Sequence, residues 1–201
     1  MTIALLGSGE FTEAMEEIDR FVLKGVENPI VAIVPLAAKK EADYRKWVEM
    51  GERHFEKLGM EAYGAETAEE LKRANVVYFS GGDPGYLLEQ VKGEIWEEAI
   101  KKQVICGSSA GAMLLGEWML ANIYAVIDNG EKKLQWEKAM GAVPYTVWPH
   151  FDWALREIPE KIKEFLDQAP KSDWLGIDED TAVIFPSRIV LGRGVAHWCK
   201  I

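Results

Sequence analysis

The stretch VICGSSAGAM, residues 104–113, places two serines between glycines directly after a short apolar run. Residues 107–111 fit the pattern G-x-S-x-G, which is typical of a sharp strand-to-helix turn that exposes one serine hydroxyl. Glycine is expected on both sides of such a turn because a side chain there would collide with the neighbouring strand and helix. An ordinary loop whose serine caps a helix has similar residues, so the rest of the chain must decide between the two.

Short apolar runs alternate with amphipathic segments before and around this turn. Apolar strands separated by helices predict βαβ units, and therefore a parallel sheet with helices on both faces. Helical spacing of apolar residues supports the helices. The predicted strands are residues 2–7, 30–35, 75–82 and 103–107, and the predicted helices are residues 12–24 and the charged segment 44–58.

Glycine-rich turns follow three of these predicted strands, at residues 7–9, 81–83 and 107–111. The carboxyl ends of parallel strands meet at one edge of the sheet, where ligands bind. The sequence therefore predicts a site at this edge. Nucleotide binding at residues 7–12 is disfavoured because the third glycine of G-x-G-x-x-G is missing and Glu10 would repel a phosphate.

The C-terminal part of the chain is less regular. An Asp-Asn-Gly turn within residues 124–136 predicts a hairpin. Pro159 is expected to open a helix that carries Ile162, Phe165 and Leu166. Short closing strands are expected within residues 174–185, 188–192 and 195–199. Without an internal repeat or a linker, we expect a single domain over residues 1–201.

The composition bounds the classes of partner. The chain has 201 residues, of which 48% are hydrophobic and 28% charged, as in a soluble globular protein. A net charge of −10 argues against nucleic acid and against an anionic membrane surface as partners. No segment is apolar enough to span a membrane and the N-terminus lacks the basic residues of a signal peptide, so a cytoplasmic protein is expected. The oligomeric state is left open.

The cysteines do not indicate a metal or a disulfide framework. Cys106 and Cys199 are the only two, and they lack metal-ligand spacing. No cofactor and no metal are therefore expected. Cys106 ends an apolar strand, where a small buried thiol packs well.

A serine becomes a nucleophile when a base removes its proton and a third group orients that base. The chain has three histidines. His150 follows an apolar strand on a loop and is the leading candidate, since working residues are concentrated on such loops. His54 is expected on the solvated face of a charged helix, and His197 is expected to pack in the core.

The orienting acid is sought in GIDEDTA, residues 176–182. Spacing alone leaves Asp178, Glu179 and Asp180 open, together with a solvated acidic turn. The order serine, histidine, acid differs from the order serine, acid, histidine of α/β-hydrolases. The serine turn alone therefore does not identify the fold.

Four segments together resemble the dipeptidase E and cyanophycinase family of serine peptidases. GSSAGA is similar to the family's G-[ST]-S-A-G-A nucleophile turn, and YFSGGDPGYLL (78–88) to its strand ending in Gly-Gly-Asp or Gly-Gly-Asn. AMGAVPYTVWPHF (139–151) is similar to the segment that leads to His-Phe, and GIDEDTA to G-I-x-E-x-T-A. The segments keep the family's order and are spread over about half the chain.

This resemblance implies a three-layer α/β sandwich with a mostly parallel, flavodoxin-like sheet, similar to class I glutamine amidotransferases. It implies a triad in which Ser109 is the nucleophile, His150 the base and Glu179 its partner. The backbone N–H groups of Gly82 and Ala110 would form the oxyanion hole. The implied activity is hydrolysis of short peptides, with aspartyl or other acidic dipeptides as expected substrates, through an acyl-enzyme. Amidotransferase activity is disfavoured because it needs a cysteine nucleophile.

The chain departs from cyanophycinase-like members at a run of arginines after the histidine. Ala154 and Pro159 stand where that run has its first and last arginine, and Arg156 is kept. Arg156 is expected to bind a substrate carboxylate, because a guanidinium forms two parallel hydrogen bonds with it. Pairing with Glu157 or Glu160 is the alternative. The alternative function is a non-hydrolytic member that binds ligands or contacts proteins.

Overall fold

The strands form one large and two small sheets in a computed structural model, which describes residues 1–200. The strands are β1 (Thr2–Leu6), β2 (Ile30–Val34), β3 (Glu61–Gly64), β4 (Val76–Phe79), β5 (Val104–Ser108), β6 (Trp118–Leu120), β7 (Trp136–Lys138), β8 (Thr146–Trp148), β9 (Trp174–Ile177), β10 (Thr181–Phe185), β11 (Ile189–Gly192) and β12 (Ala196–Cys199).

The large sheet has seven strands in the order β11-β10-β1-β5-β4-β2-β3. Strands β1, β5, β4, β2 and β3 pair in parallel, whereas β10 and β11 extend the sheet in antiparallel fashion. The prediction of an α/β fold with a mostly parallel sheet is confirmed. The small sheets have the orders β12-β9-β8 and β6-β7.

Along the chain, helices alternate with the strands of the large sheet, as the alternation of apolar and amphipathic segments predicts. They are α1 (Glu16–Val22), α2 (Lys46–Lys57), α3 (Ala68–Leu71), α4 (Pro84–Val91), α5 (Glu94–Ala99), α6 (Ala110–Leu115), α7 (Ile123–Ile127), α8 (Phe151–Glu157) and α9 (Pro159–Gln168), with short 3-10 turns at Glu13–Met15 and Leu36–Ala38.

Both faces of the large sheet are buried, because successive side chains of a strand point to opposite faces. On β5, Ile105 belongs to the apolar cluster that contains Leu114 of α6. The next residue, Cys106, is a free thiol in the opposite cluster, with Ile18 of α1 and Phe55 of α2. Helices therefore cover both faces, which gives the three predicted layers.

Residues 124–136 differ from the prediction of a hairpin. Helix α7 covers Ile123–Ile127, and the antiparallel strands β6 and β7 lie on either side of this segment. Ile123 and Ile127 are four residues apart, the spacing of one helical face, and Val126 is buried. The Asp-Asn-Gly turn is present at residues 128–130, but a helix and not a strand precedes it, because this short apolar run packs as a helix.

The C-terminal segments agree with the prediction. Pro159 is the first residue of α9, and Ile162 and Phe165 on this helix are buried, whereas Leu166 is exposed. The four closing strands β9 to β12 follow. Among residues 1–200, no helix has the length and apolar character needed to cross a bilayer.

Candidate active site

Ser109 lies on a strained turn between β5 and α6, with φ 52° and ψ −115°. Positive φ is uncommon outside glycine, and strained backbone is concentrated at functional sites. A Cβ atom on Gly107 would collide with the carbonyl of Gly111, and one on Gly111 would collide with the carbonyl of Phe79 in β4. Both glycines are therefore required by close approach of the backbone, as the sequence predicts.

Ser108, the neighbouring serine, points into the protein. Its side chain is fully buried, and its hydroxyl donates to Oε2 of Glu10 at 2.6 Å. The other carboxylate oxygen of Glu10, Oε1, accepts from the backbone N–H of Gly81 at 2.9 Å. Glu10 is only 5% exposed. This buried carboxylate joins the serine turn to the loop that contains Gly82.

The sequence indicates Glu10 only as an obstacle to phosphate binding, and this contact is not predicted from it. An acidic residue in a glycine-rich turn after a buried strand was the available signal. The turn packs closely against the end of β9, because a Cβ atom on Gly7 would collide with the carbonyl of Asp178.

His150 lies at the start of α8, directly after β8, in the left-handed conformation with φ 51° and ψ 38°. Its backbone N–H donates to the carbonyl of Gly7 at 3.3 Å. The imidazole Nε2 lies 3.0 Å from Oγ of Ser109, and Nδ1 lies 2.9 Å from Oε1 of Glu179. The structure thus brings together the serine, the histidine and the glutamate singled out from the sequence.

The three consecutive acids after β9 have different partners. Glu179 contacts His150, and its backbone N–H donates to Oδ1 of Asp152 at 2.9 Å. Asp178 accepts from the backbone N–H of Val195, just before β12, and Asp180 pairs with an arginine at 3.6 Å. Geometry therefore selects Glu179 as the partner of His150, where spacing alone left three acids open.

The other two histidines lie where the sequence analysis did not predict them. His54 is not solvated: it is buried, and its Nε2 lies 2.7 Å from Oδ2 of Asp19. Burial raises the pKa of Asp19, and the hydrogen bond with His54 opposes that shift. His197 is half-exposed instead of packed in the core, and its Nε2 lies 2.8 Å from Oδ1 of Asp178.

A cavity of about 400 Å³ opens beside Ser109. This volume is within the range of small-molecule sites. Gly82, Ala110, His150 and Glu179 line it together with Ser109. Within residues 1–200, no group of three or more His, Cys, Asp or Glu side chains is placed to hold a metal ion.

Arg156 does not line this cavity. Its Nε donates to Oε1 of Glu157 at 2.8 Å, and its side chain is mostly exposed. The structure therefore shows the pairing that was the alternative, and gives no support to the prediction that Arg156 binds a substrate carboxylate. Glu157 pairs with the Nε–H of this guanidinium, which is exposed.

A strained serine turn at the edge of a parallel α/β sheet, with the serine hydrogen-bonded through histidine to glutamate, is the arrangement of a serine hydrolase. The comparison with known families is more specific. The chain belongs to peptidase family S51, whose sequence profile matches residues 3–189. The predicted family is thereby confirmed.

Known relatives support this assignment. Two proteins described as cyanophycinase, from Synechococcus elongatus and Thermosynechococcus vestitus (strain NIES-2133 / IAM M-273 / BP-1), are each 30% identical to this chain over 142 residues. The match covers 64% of this chain but only 42% of each relative.

Solved structures show the same fold. A peptidase from an acI-B1 Actinobacterium superposes with a TM-score of 0.83 at 26% identity, covering 99% of this chain and 90% of that chain. A putative Peptidase E from Listeria monocytogenes EGD-e superposes with a TM-score of 0.68 at 20% identity, covering 96% and 98% of the two chains. The second likeness is evidence for the fold alone.

Proposed function

We propose that the protein is a serine peptidase that hydrolyses short peptides through Ser109, His150 and Glu179. The observation that carries this proposal is the pair of hydrogen-bond distances, 3.0 Å from Ser109 Oγ to His150 Nε2 and 2.9 Å from His150 Nδ1 to Glu179 Oε1. Family membership and the strained conformation of Ser109 support it.

In the proposed reaction, Oγ of Ser109 attacks the carbonyl carbon of the substrate while Nε2 of His150 takes the hydroxyl proton. Glu179 holds the imidazole in the required orientation and stabilises its positive charge without accepting the proton itself. When the C–N bond breaks, His150 gives the proton to the leaving amine. Water, deprotonated by His150, then attacks the acyl-enzyme; the ester C–O bond breaks, the acid leaves, and His150 returns the proton to Oγ of Ser109.

The oxyanion formed in each attack needs preorganised donors. Ala110 is the first residue of α6, so its N–H has no acceptor within the helix. Gly82 has a φ of 136°, and a Cβ atom there would collide with the backbone of Ala37. Both residues line the cavity beside Ser109. We assign their N–H groups to the oxyanion hole.

A preference for acidic dipeptides would need a cation at the cavity. Arg156 was the residue expected to supply it, and it is paired with Glu157 instead. The proposed substrates are therefore short peptides, and the preference for acidic ones that the family resemblance implies stays a prediction.

Labelling with a small fluorophosphonate tests the proposal, with Ser109→Ala and the matched Ser108→Ala as variants. We expect the label on Ser109 and none in Ser109→Ala, whose residual catalysis should be at most about 10³–10⁴-fold over water. Ser108→Ala should keep labelling and most activity, because its hydroxyl faces Glu10. Labelling of Ser108, or retained labelling of Ser109→Ala, would show that the nucleophile is assigned wrongly.

A further inference from the structure

The loop after β4 has four consecutive N–H groups, from Ser80 to Asp83, and three of them are held. Ser80 and Asp83 donate to backbone carbonyls at the end of β2 and in the 3-10 turn that follows it, at 3.2 and 2.8 Å. Gly81 donates to the side chain of Glu10 at 2.9 Å. The N–H of Gly82 has no acceptor within residues 1–200, and Gly82 lines the cavity beside the serine. Among the three acceptors, only that of Gly81 belongs to a side chain.

Glu10 reaches this loop from a strained turn after β1. The next residue, Phe11, has a φ of 63°, in the left-handed region that is uncommon outside glycine. Its ring packs against Tyr78 at 4.8 Å and against Phe55 at 6.1 Å between ring centroids. These buried contacts hold the turn in its strained conformation, and Glu10 within it is buried.

The carboxylate of Glu10 contacts the segments that carry both assigned oxyanion donors. Gly81, which is bonded to Oε1, immediately precedes Gly82. Ser108, which is bonded to Oε2, lies two residues before Ala110. Because the two oxygens of a carboxylate have a fixed separation, this side chain sets how the loop after β4 lies relative to the serine turn.

A carboxylate in this place is costly in two ways. A buried charge loses its water, and hydrogen bonds offset that loss only in part. Negative charge beside the site also opposes the charge of an oxyanion. The approach is close, since a Cβ atom on Gly81 would lie 3.0 Å from Oε1 of Glu10 and 3.2 Å from Cβ of Ser109. What the carboxylate supplies is geometry, because a satisfied buried polar network rigidifies the segments that it joins.

We propose that Glu10 is a positioning residue of the oxyanion hole: it holds Gly81 so that the N–H of the next residue, Gly82, is aimed at the oxyanion formed beside Ser109. This inference rests on the proposed function, because it assigns Glu10 a role in the reaction of Ser109. Glu10 does not line the cavity and acts through the backbone. Its effect therefore falls on the transition state and not on binding of the substrate.

Three variants of the intact chain separate position from charge at Glu10. Glu10→Gln keeps an acceptor for Gly81 and removes the charge. Glu10→Asp keeps the charge but shortens the side chain by one methylene, and Glu10→Leu removes the acceptor. Asp19→Asn is the matched control, because Asp19 is also a buried carboxylate, and its partner His54 lies outside the site. The Tm of each variant separates a loss of stability from a loss of rate.

Labelling of Ser109 by a small fluorophosphonate reports on the oxyanion hole without a known peptide substrate. Oγ of Ser109 bonds to phosphorus, fluoride leaves, and negative charge gathers on the phosphoryl oxygen. We expect the limiting rate to fall by about 10–100-fold in Glu10→Leu and by about 10-fold in Glu10→Asp, and to stay within about threefold in Glu10→Gln. The reagent concentration for half-maximal rate should change by less than about threefold in all three. Asp19→Asn should keep both values.

Phenylboronic acid provides a second measurement, because it forms a tetrahedral anionic adduct with a nucleophilic serine. Its dissociation constant, measured by protection of Ser109 from labelling, should rise by about the factor by which the limiting rate falls. The decline of the labelling rate in acid should be kept in the Glu10 variants, because His150 and Glu179 keep their contact. A loss of that decline would instead place the effect of Glu10 on the base.

The outcomes distinguish failure of the inference from failure of the proposed function. Unchanged labelling of Glu10→Leu and Glu10→Asp overturns the role of Glu10 and leaves the peptidase in place. Equal losses in Glu10→Gln and Glu10→Leu also overturn it, since charge would then be decisive, and so does an equal loss in Asp19→Asn, since stability would then explain both. If Glu10→Leu does not fold, Glu10→Asp against Glu10→Gln decides. Absence of labelling in the unmodified protein overturns the proposed function and the inference with it.

Discussion

Replacing Glu10 with leucine should destabilise the protein far more than replacing an exposed glutamate. The carboxylate of Glu10 is only 5% exposed and accepts from the hydroxyl of Ser108 at 2.6 Å and from the N–H of Gly81 at 2.9 Å. Leucine has a similar size and no acceptor. Two buried donors therefore lose their partner in Glu10→Leu.

The expected loss follows from these two groups. A buried donor left without an acceptor costs about 1–3 kcal/mol. The hydroxyl of Ser108 can rotate to a new acceptor, but the N–H of Gly81 is fixed by the backbone, so the larger part of the loss falls there. We expect the free energy of unfolding to fall by about 2–4 kcal/mol, which lowers Tm by roughly 5–15 °C for a chain of this length.

This loss can be measured by unfolding the protein in guanidinium chloride and monitoring the fluorescence of its eight tryptophans. Glu10→Gln is the conservative variant: its amide oxygen can accept from Gly81 and its NH₂ group can donate to Ser108, so its loss should be smaller. Glu17→Leu, at an exposed position of α1, is the control. A Glu10→Leu protein as stable as Glu17→Leu would refute the reasoning.

Two further predictions concern pH. His150→Gln should lower kcat by about 10²–10⁴-fold. Its pH–rate profile should also lack the decline in acid, because no imidazole remains at this position to be protonated. His197→Gln should keep that decline. Hydrogen bonds from Lys101 and Lys102 hold the pKa of Glu98 at about 2, below its usual 4.5. The stability that depends on ionised Glu98 is therefore present above pH 4.5 and lost as pH falls toward 2. The free energy of unfolding, measured between these pH values, should fall less steeply with acid in Glu98→Gln than in the unmodified protein. Equal slopes would contradict the assignment.

The sheet and the serine turn could be predicted because their signals are local. An apolar run that ends in glycine predicts both a buried strand and the turn that follows it. Strands β4 and β5 both have this pattern. The wrong prediction for His54 has the opposite cause. The charged residues of α2 indicate a solvated helix, but burial of His54 depends on Asp19, which lies 35 residues away in α1.

The contacts of Glu10 illustrate the same limit at the site itself. Its partners Gly81 and Ser108 lie 71 and 98 residues away in the chain. No spacing rule connects residues so far apart, and the pairing of β5 with both β1 and β4 brings them together. The family resemblance supplied what local patterns did not, namely the choice of Glu179 among three acids.

The two central residues of the proposed site share a backbone property that bears on how it is held. Ser109 and His150 both have positive φ, 52° and 51°, and each precedes the first residue of a helix. Such a conformation costs of order 1–3 kcal/mol for each non-glycine residue. The cost is borne only because the surrounding contacts fix these positions: the N–H of Ser109 donates to the carbonyl of Leu6, and that of His150 to the carbonyl of Gly7. Two consecutive carbonyls at the end of β1 thus fix the backbone of both residues. A change in this segment should therefore displace the serine and the histidine together.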